Sequence, residues 1–114
     1  MDKELFRLVL TQEARDFIKS LNPAAKEKIY YNIRKVKSGV RDMELFKKLE
    51  NSEIWEFRTL YNGVAYRLFA FWDTDVQTLV VATHGIIKKT QKTPKKEIAR
   101  AEAIMKQYFE LKKM

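Results

Sequence analysis

Cationic side chains at two places in the sequence have the chemistry to bind a phosphodiester. Arg58 and Arg67 lie in neighbouring segments that alternate polar and apolar residues, and a lysine-rich run follows them. Between positions 86 and 100 there are six positive residues and one negative residue, a net charge of +5 out of +8 for the chain. A guanidinium stays charged and binds two phosphate oxygens, so this pattern predicts a polyanionic partner. A solvated, basic helix start is the alternative explanation of the lysine run.

If the polyanion is RNA, one reaction that such cations can support is cleavage without a metal ion. This reaction needs a base for the ribose 2′-hydroxyl, a cation beside the phosphate and an acid for the leaving 5′-oxygen. Arg58 and Arg67 suit the phosphate, and Lys88 and Lys89 add to the positive field. A lysine crowded by other cations has a lowered pKa and can transfer protons near neutral pH, so Lys88, Lys89 and Lys92 all stay open for acid or base. The further residues expected to bind RNA are Lys92, Lys95, Lys96, Arg100 and Tyr61.

Two further side chains are candidate general bases. His84 is the only histidine of the chain, and a lone histidine in a strand is either catalytic or structural. Glu56 precedes Arg58 by two residues and therefore shares its strand face. It is either a base or the salt-bridge partner of Arg58 or Arg67, and the sequence leaves both alternatives open.

Other kinds of catalytic site find little support in the sequence. A two-metal nuclease needs several convergent carboxylates, whereas the obvious pair, Asp73 and Asp75, fits a turn between strands. The chain has three glycines, too few for a phosphate-binding loop, and no cysteine for a disulfide or a thiolate zinc site. We therefore expect neither a metal ion nor another cofactor.

The hydrophobic periodicity predicts the element order β-α-α-β-β-β-α. A first strand within residues 5–10 precedes a helical hairpin between about residues 11 and 39. A polar link over residues 41–51 leads to three strands joined by the turns Asn62-Gly63 and Asp73-Thr74-Asp75. These strands are expected at residues 54–60, 64–72 and 78–87. The result is an α+β fold in which a small twisted antiparallel sheet carries an N-terminal helical hairpin and a C-terminal helix.

Strand alternation also predicts where individual side chains point. In the first strand of the meander, Trp55 and Phe57 are expected to face the core, while Glu56 and Arg58 face solvent. Both faces of the next strand are partly apolar, which predicts that it is central and that its arginine has a partner or an anionic ligand. At the last helix, Thr93 is expected as the N-cap and Pro94 as the first helical residue.

Length and composition predict one domain over residues 1–114. Charged residues interrupt the N-terminal apolar run, so no signal peptide is expected there. No stretch approaches the roughly 18 to 20 apolar residues that a membrane helix requires. We therefore expect a soluble, cytoplasmic protein without a membrane partner.

Three motifs together resemble the phage-derived, HigB-like branch of the RelE/ParE toxin superfamily. They are WEFR at positions 55–58, YRLF at 66–69 and HGIIKKTQKTPKKEI at 84–98. The first two motifs are weak alone, whereas the third is specific, and all three occur in order at compatible spacing. The resemblance spans nearly the whole chain.

The resemblance implies a type II toxin with a RelE-like fold and a concave basic face. Similar toxins enter the ribosome, cleave messenger RNA and are neutralised by a helix-turn-helix antitoxin of the HigA kind. The ParE-like branch shares the fold but poisons DNA gyrase without catalysis. An endoribonuclease is thus the expectation, and a gyrase-binding toxin is the alternative.

Overall fold

The computed structural model describes residues 4–89 and 92–114. Three helices and five strands follow one another, which confirms the expected α+β class. In chain order they are β1 (Arg7–Leu10), α1 (Gln12–Lys19), α2 (Pro23–Lys37), β2 (Phe46–Lys48), β3 (Trp55–Tyr61), β4 (Val64–Trp72), β5 (Leu79–Lys88) and α3 (Lys95–Lys112).

The five strands form one sheet in the order β1-β5-β4-β3-β2. Strands β3, β4 and β5 are the expected antiparallel meander, and β4 is central as predicted. At the edge, however, β1 pairs with β5 in parallel, with Leu8 opposite Val80. The sheet is therefore mixed rather than wholly antiparallel. The long connection that parallel pairing needs runs from β1 through both helices and the next three strands before β5.

The other edge strand, β2, lies inside the segment that was expected to be a polar link, partly helical or irregular. Its three residues are too few to show a periodicity, and the lysines at positions 47 and 48 are exposed. The Phe46 ring stacks on Phe57 and Trp55, with centroids 4.3 and 4.7 Å apart, which explains why the segment joins the sheet. The pairing also brings Lys47 opposite Glu56.

The helical hairpin covers one face of the sheet. Thr11 caps α1 and Asn22 caps α2, each side-chain oxygen accepting a backbone N–H bond three residues ahead. Helix α1 lies so close to β5 that a Cβ at Gly85 would overlap the ring of Phe17. The glycine next to His84 is therefore explained by close packing of a helix on a strand.

Helix α3 crosses the opposite face, where Ala101 is fully buried against a cluster that includes Phe69 and Phe71. The start of α3 differs from the prediction, because Pro94 is the N-cap and makes no side-chain cap bond. The Thr93 hydroxyl, expected as the cap, donates instead to Glu56 Oε2 at 3.1 Å. Within the described ranges, no helix is long and apolar enough to cross a membrane.

The predicted turn at Asp73 also anchors the end of α3. The buried carboxylate of Asp73 accepts bonds from Tyr108 Oη at 2.5 Å and Lys112 Nζ at 2.7 Å, besides two backbone N–H groups. Burial raises the pKa of Asp73, but the Lys112, Tyr108 and backbone donors outweigh it and hold that pKa well below its usual range. The charged carboxylate of Asp73 therefore connects the turn to α3 through its bonds with Tyr108 and Lys112.

Candidate functional site

Two arginines lie side by side on the α3 face of the sheet. In the register of β3 and β4, Arg58 is directly opposite Arg67, so both side chains share one face, as binding of one phosphate by both arginines requires. Like charges placed directly opposite each other are unfavourable unless something neutralises them. The carboxylate of Glu56 does so, because its Oε1 lies 3.5 Å from Nε of each guanidinium. We call Arg58 and Arg67 the arginine pair.

Glu56 is buried, which contradicts the expectation that it faces solvent. Its side chain is 3% exposed, and the segment before α3 covers it through the Thr93 bond. Sequence alternation assigned the correct face but did not show that α3 covers part of it. The glutamate therefore serves as the shared ion-pair partner, which was one of the two alternatives, and it has little access to a substrate.

The arginine pair retains unused capacity for hydrogen bonding. Arg67 Nη1 donates to the carbonyl of Tyr66 and Arg58 Nη1 to the carbonyl of Met43, both at 3.0 Å. Both Nε atoms are buried and have no hydrogen-bond acceptor in the part of the chain that the structure describes. Burial lowers the pKa of Arg67, and the charge of Glu56 opposes that effect. An anion that bonded both guanidiniums would stabilise this arrangement.

Two lysines border the arginine pair. Lys88 is half-buried and lies opposite Ala65, two positions along β4 from Arg67. Burial lowers the pKa of Lys88, and the charge of Arg67 lowers it further. Lys47, exposed on β2, lies opposite Glu56. Sequence reasoning did not include Lys47 or Thr93, because only the pairing of β2 and the course of the chain before α3 bring them here.

A β-bulge in β5 decides which face Lys88 occupies. The register shifts between positions 69 and 70 of β4, so that Thr83 is an extra residue on β5. Before the bulge, Val80 and Ala82 pack towards the helical hairpin. After the bulge, the even-numbered residues His84 and Lys88 lie on the α3 face with Arg67. A regular strand would place Lys88 on the opposite face.

The predicted general base His84 is buried and bonded at both nitrogens. Its Nε2 lies 3.0 Å from Glu97 Oε1, and its Nδ1 lies 3.0 Å from Thr83 Oγ1. The residue is 1% exposed, and burial lowers the pKa of its ring. The geometry therefore favours the structural alternative, in which His84 joins β5 to α3 and takes no proton from a substrate.

The remaining predicted residues do not all join the arginine pair. Tyr61, which was predicted to bind RNA, lies three positions after Arg58, so alternation turns its ring to the face of the helical hairpin. Arg100 is paired with Glu13 of α1. The lysines that follow β5 and begin α3 are exposed on the surface, at Lys89, Lys92, Lys95 and Lys96. Positions 90 and 91 of the third motif lie outside the described residues.

The acidic residues do not gather at this face. Among residues 4–89 and 92–114, no group of three or more histidine, aspartate or glutamate side chains is arranged to hold a metal ion. The site is instead a cationic surface, in which Lys47, Arg58, Arg67 and Lys88 surround the buried carboxylate of Glu56. Such an arrangement can bind a phosphate oxygen pair and polarise it.

Solved structures show the same fold. A double arginine-to-alanine mutant of the Escherichia coli toxin RelE in the free state matches with a TM-score of 0.56 and 16% identity, over 72% of this chain and 81% of that one. The toxin–antitoxin complex RelBE2 from Mycobacterium tuberculosis matches with a TM-score of 0.48 and 20% identity, over 76% of this chain and 95% of that one. The first likeness shows a RelE-like fold, and the second is too weak to add to it. A comparison with curated proteins gives no significant match.

The sequence also matches a protein family. Residues 16–106 match the family described as "Phage derived protein Gp49-like (DUF891)". The match runs from α1 into α3 and includes the arginine pair, Glu56 and Lys88. It confirms the resemblance to a phage-derived branch that the three motifs indicate. The chain belongs to the family of phage-derived Gp49-like proteins.

Proposed function

We propose that the chain is the toxin of a type II toxin–antitoxin system and that it cleaves messenger RNA on the ribosome without a metal ion. The observation that carries the proposal is the arginine pair, which lies on one face beside Lys88 and shares the buried carboxylate of Glu56. The RelE-like fold and the phage-derived family support a toxin. The cationic site supports RNA as the target.

The arginine pair would hold the scissile phosphate through its two non-bridging oxygens. The 2′-oxygen of the preceding ribose forms a bond to phosphorus, and the bond from phosphorus to the 5′-oxygen breaks. The products are a 2′,3′-cyclic phosphate and a 5′-hydroxyl. Because the guanidiniums are already fixed by Glu56, Tyr66 and Met43, little reorganisation accompanies the growth of charge on the phosphate.

Lys88 is the group we assign to proton transfer. It is half-buried next to the arginine pair, and burial together with the charge of Arg67 lowers its pKa. The lowered pKa leaves a larger fraction of the Lys88 amine uncharged, and the uncharged amine can accept the proton of the 2′-hydroxyl. An exposed lysine, Lys47, Lys89 or Lys92, would then protonate the leaving 5′-oxygen. Glu56 positions the arginines and does not itself react.

The proposed partners follow from this activity. A protein that cleaves messenger on the ribosome acts in the cytoplasm and must be neutralised while the cell grows. We propose a helix-turn-helix antitoxin of the HigA kind, which would cover the cationic face or brace the helical hairpin. A reading frame for such a protein adjacent to the coding sequence would support this partner.

Expression in growing cells tests the function. After induction, primer extension on an abundant messenger should reveal new 5′ ends as translation stops, before DNA supercoiling changes. Arg67→Ala should abolish both the new 5′ ends and the arrest of translation. Arg15 is an exposed arginine of α1, and Arg15→Ala should abolish neither. Arrested translation without new 5′ ends would refute cleavage, and an earlier change in supercoiling would indicate a gyrase-binding toxin.

A further inference from the structure

A second cationic surface lies on helix α2, on the side of the sheet opposite the arginine pair. The helix contains five lysine or arginine residues and one glutamate, a net charge of +4. Among the residues with described positions, only Lys37 of these five has a carboxylate within ion-pair distance, that of Glu4 at 2.9 Å. The helix thus presents positive charge that acidic neighbours do not balance.

An exposed aromatic ring lies in the middle of this surface. Tyr31 is 46% exposed, and the ammonium groups of Lys28 and Lys35 lie 4.8 and 5.4 Å from its ring centroid. These lysines are three residues before and four residues after the tyrosine, so they occupy the same stripe of the helix. A polar aromatic ring between two cations is a poor core element, but it is well suited to stack a nucleobase.

The surface continues from the helix onto the sheet. Tyr31, Arg34 and Tyr61 line an open cavity of about 360 Å³ whose other walls are Ala24, Glu27 and Lys28. Tyr61 ends β3, three residues after Arg58, which corresponds to about 10 Å along the strand. One RNA strand therefore has a short path around the end of the sheet from the arginine pair to this cavity.

We infer that these five residues, Lys28, Tyr31, Arg34, Lys35 and Tyr61, which we call the α2 platform, bind single-stranded RNA. A base stacks on Tyr31 as the ammonium groups of Lys28 and Lys35 move from its ring to the flanking phosphates, which Arg34 also contacts. The inference rests on the proposed function only in taking RNA as the ligand. An acidic protein segment would match the charge, but the described cavity offers it few apolar contacts besides the tyrosine rings and Ala24.

Fluorescence anisotropy with a labelled, unstructured single-stranded RNA oligonucleotide tests the inference. Tyr31→Ala and Arg34→Glu should each weaken binding about tenfold or more, because one removes the stacking surface and the other reverses a phosphate contact. Tyr31→Phe keeps the ring and should bind like the wild type. Lys106→Glu, an exposed reversal on α3, changes the net charge as much as Arg34→Glu and should weaken binding less than about threefold.

The outcomes separate this inference from the proposed function. Wild-type RNA affinity in both Tyr31→Ala and Arg34→Glu would overturn the α2 platform, even if messenger cleavage depends on Arg67. Loss of RNA affinity in these variants, with no messenger cleavage by the wild type, would support the platform and refute the nuclease. If an alternating Glu-Leu peptide bound instead and the same variants abolished that binding while RNA affinity stayed constant, the ligand would be a protein.

Discussion

Replacing Glu56 with glutamine removes the charge that holds the arginine pair together. The carboxylate is 3% exposed and lies 3.5 Å from Nε of both arginines. Breaking a buried ion pair by removing one partner costs about 3 to 5 kcal/mol. The amide oxygen can still accept the bond from Thr93, and the Arg58 side chain is 21% exposed, so water solvates part of the released charge. We therefore expect a loss near the lower limit, about 3 kcal/mol of unfolding free energy.

Urea unfolding followed by circular dichroism measures this loss. With a slope of about 2 kcal/mol per molar urea, a loss of about 3 kcal/mol lowers the midpoint by about 1.5 M. Inorganic phosphate should then stabilise Glu56→Gln more than it stabilises the wild type, because the unpaired guanidiniums bind the anion in the folded state only. The comparison with chloride must be made at equal ionic strength, since salt screens all surface charges.

Glu53→Gln is the matched control, because Glu53 is an exposed glutamate just before the same strand. It should change the unfolding free energy by less than about 0.5 kcal/mol and leave the response to phosphate unchanged. If Glu56→Gln is as stable as the wild type, or if phosphate stabilises both proteins equally, the carboxylate does not hold a phosphate-binding arginine pair.

Three further perturbations test the surrounding structure. Asp73→Asn should lower the unfolding free energy by about 2 kcal/mol and speed hydrogen exchange at the end of α3. Asp75→Asn, at an exposed residue, should lower it little. Equal effects of the two substitutions would show that Asp73 does not anchor the end of α3. Gly85→Ala should cost about 1 to 3 kcal/mol because its Cβ meets the Phe17 ring, and an unchanged urea midpoint would contradict that packing. Burial lowers the pKa of His84 below its usual 6.5. As the pH falls, His84 is therefore protonated in the unfolded chain at a higher pH than in the folded protein. Stability should fall by at most about 1.4 kcal/mol per pH unit below about pH 6.5, and a His84→Gln variant that keeps the whole dependence would contradict this.

Local turn and alternation rules predicted much of the fold. Asn62 and Gly63 adopt positive φ angles of 52° and 78°, as the hairpin prediction requires. The register of that hairpin places Arg58 directly opposite Arg67 on one face. The short strand β2 and the parallel pairing of β1 were not predictable in this way, because contacts with distant strands determine them and their own three or four residues carry little signal.

The errors in the predicted site have the same physical origin. The bulge at Thr83 reverses the alternation of β5, so strand parity alone could not place Lys88 on the face of the arginine pair. Helix α2 was overlooked because its charge of +4 was averaged with acidic residues elsewhere in the chain.

Cleavage by purified components tests the proposed chemistry most directly. The chain is mixed with ribosomes that carry a defined messenger, and the new ends are identified chemically. The wild type should leave a 5′-hydroxyl, and Arg58→Ala and Arg67→Ala should each slow cleavage about 100-fold or more while remaining folded. Products that carry a 5′-phosphate, or cleavage by Arg67→Ala at the wild-type rate, would contradict metal-free cleavage at the arginine pair.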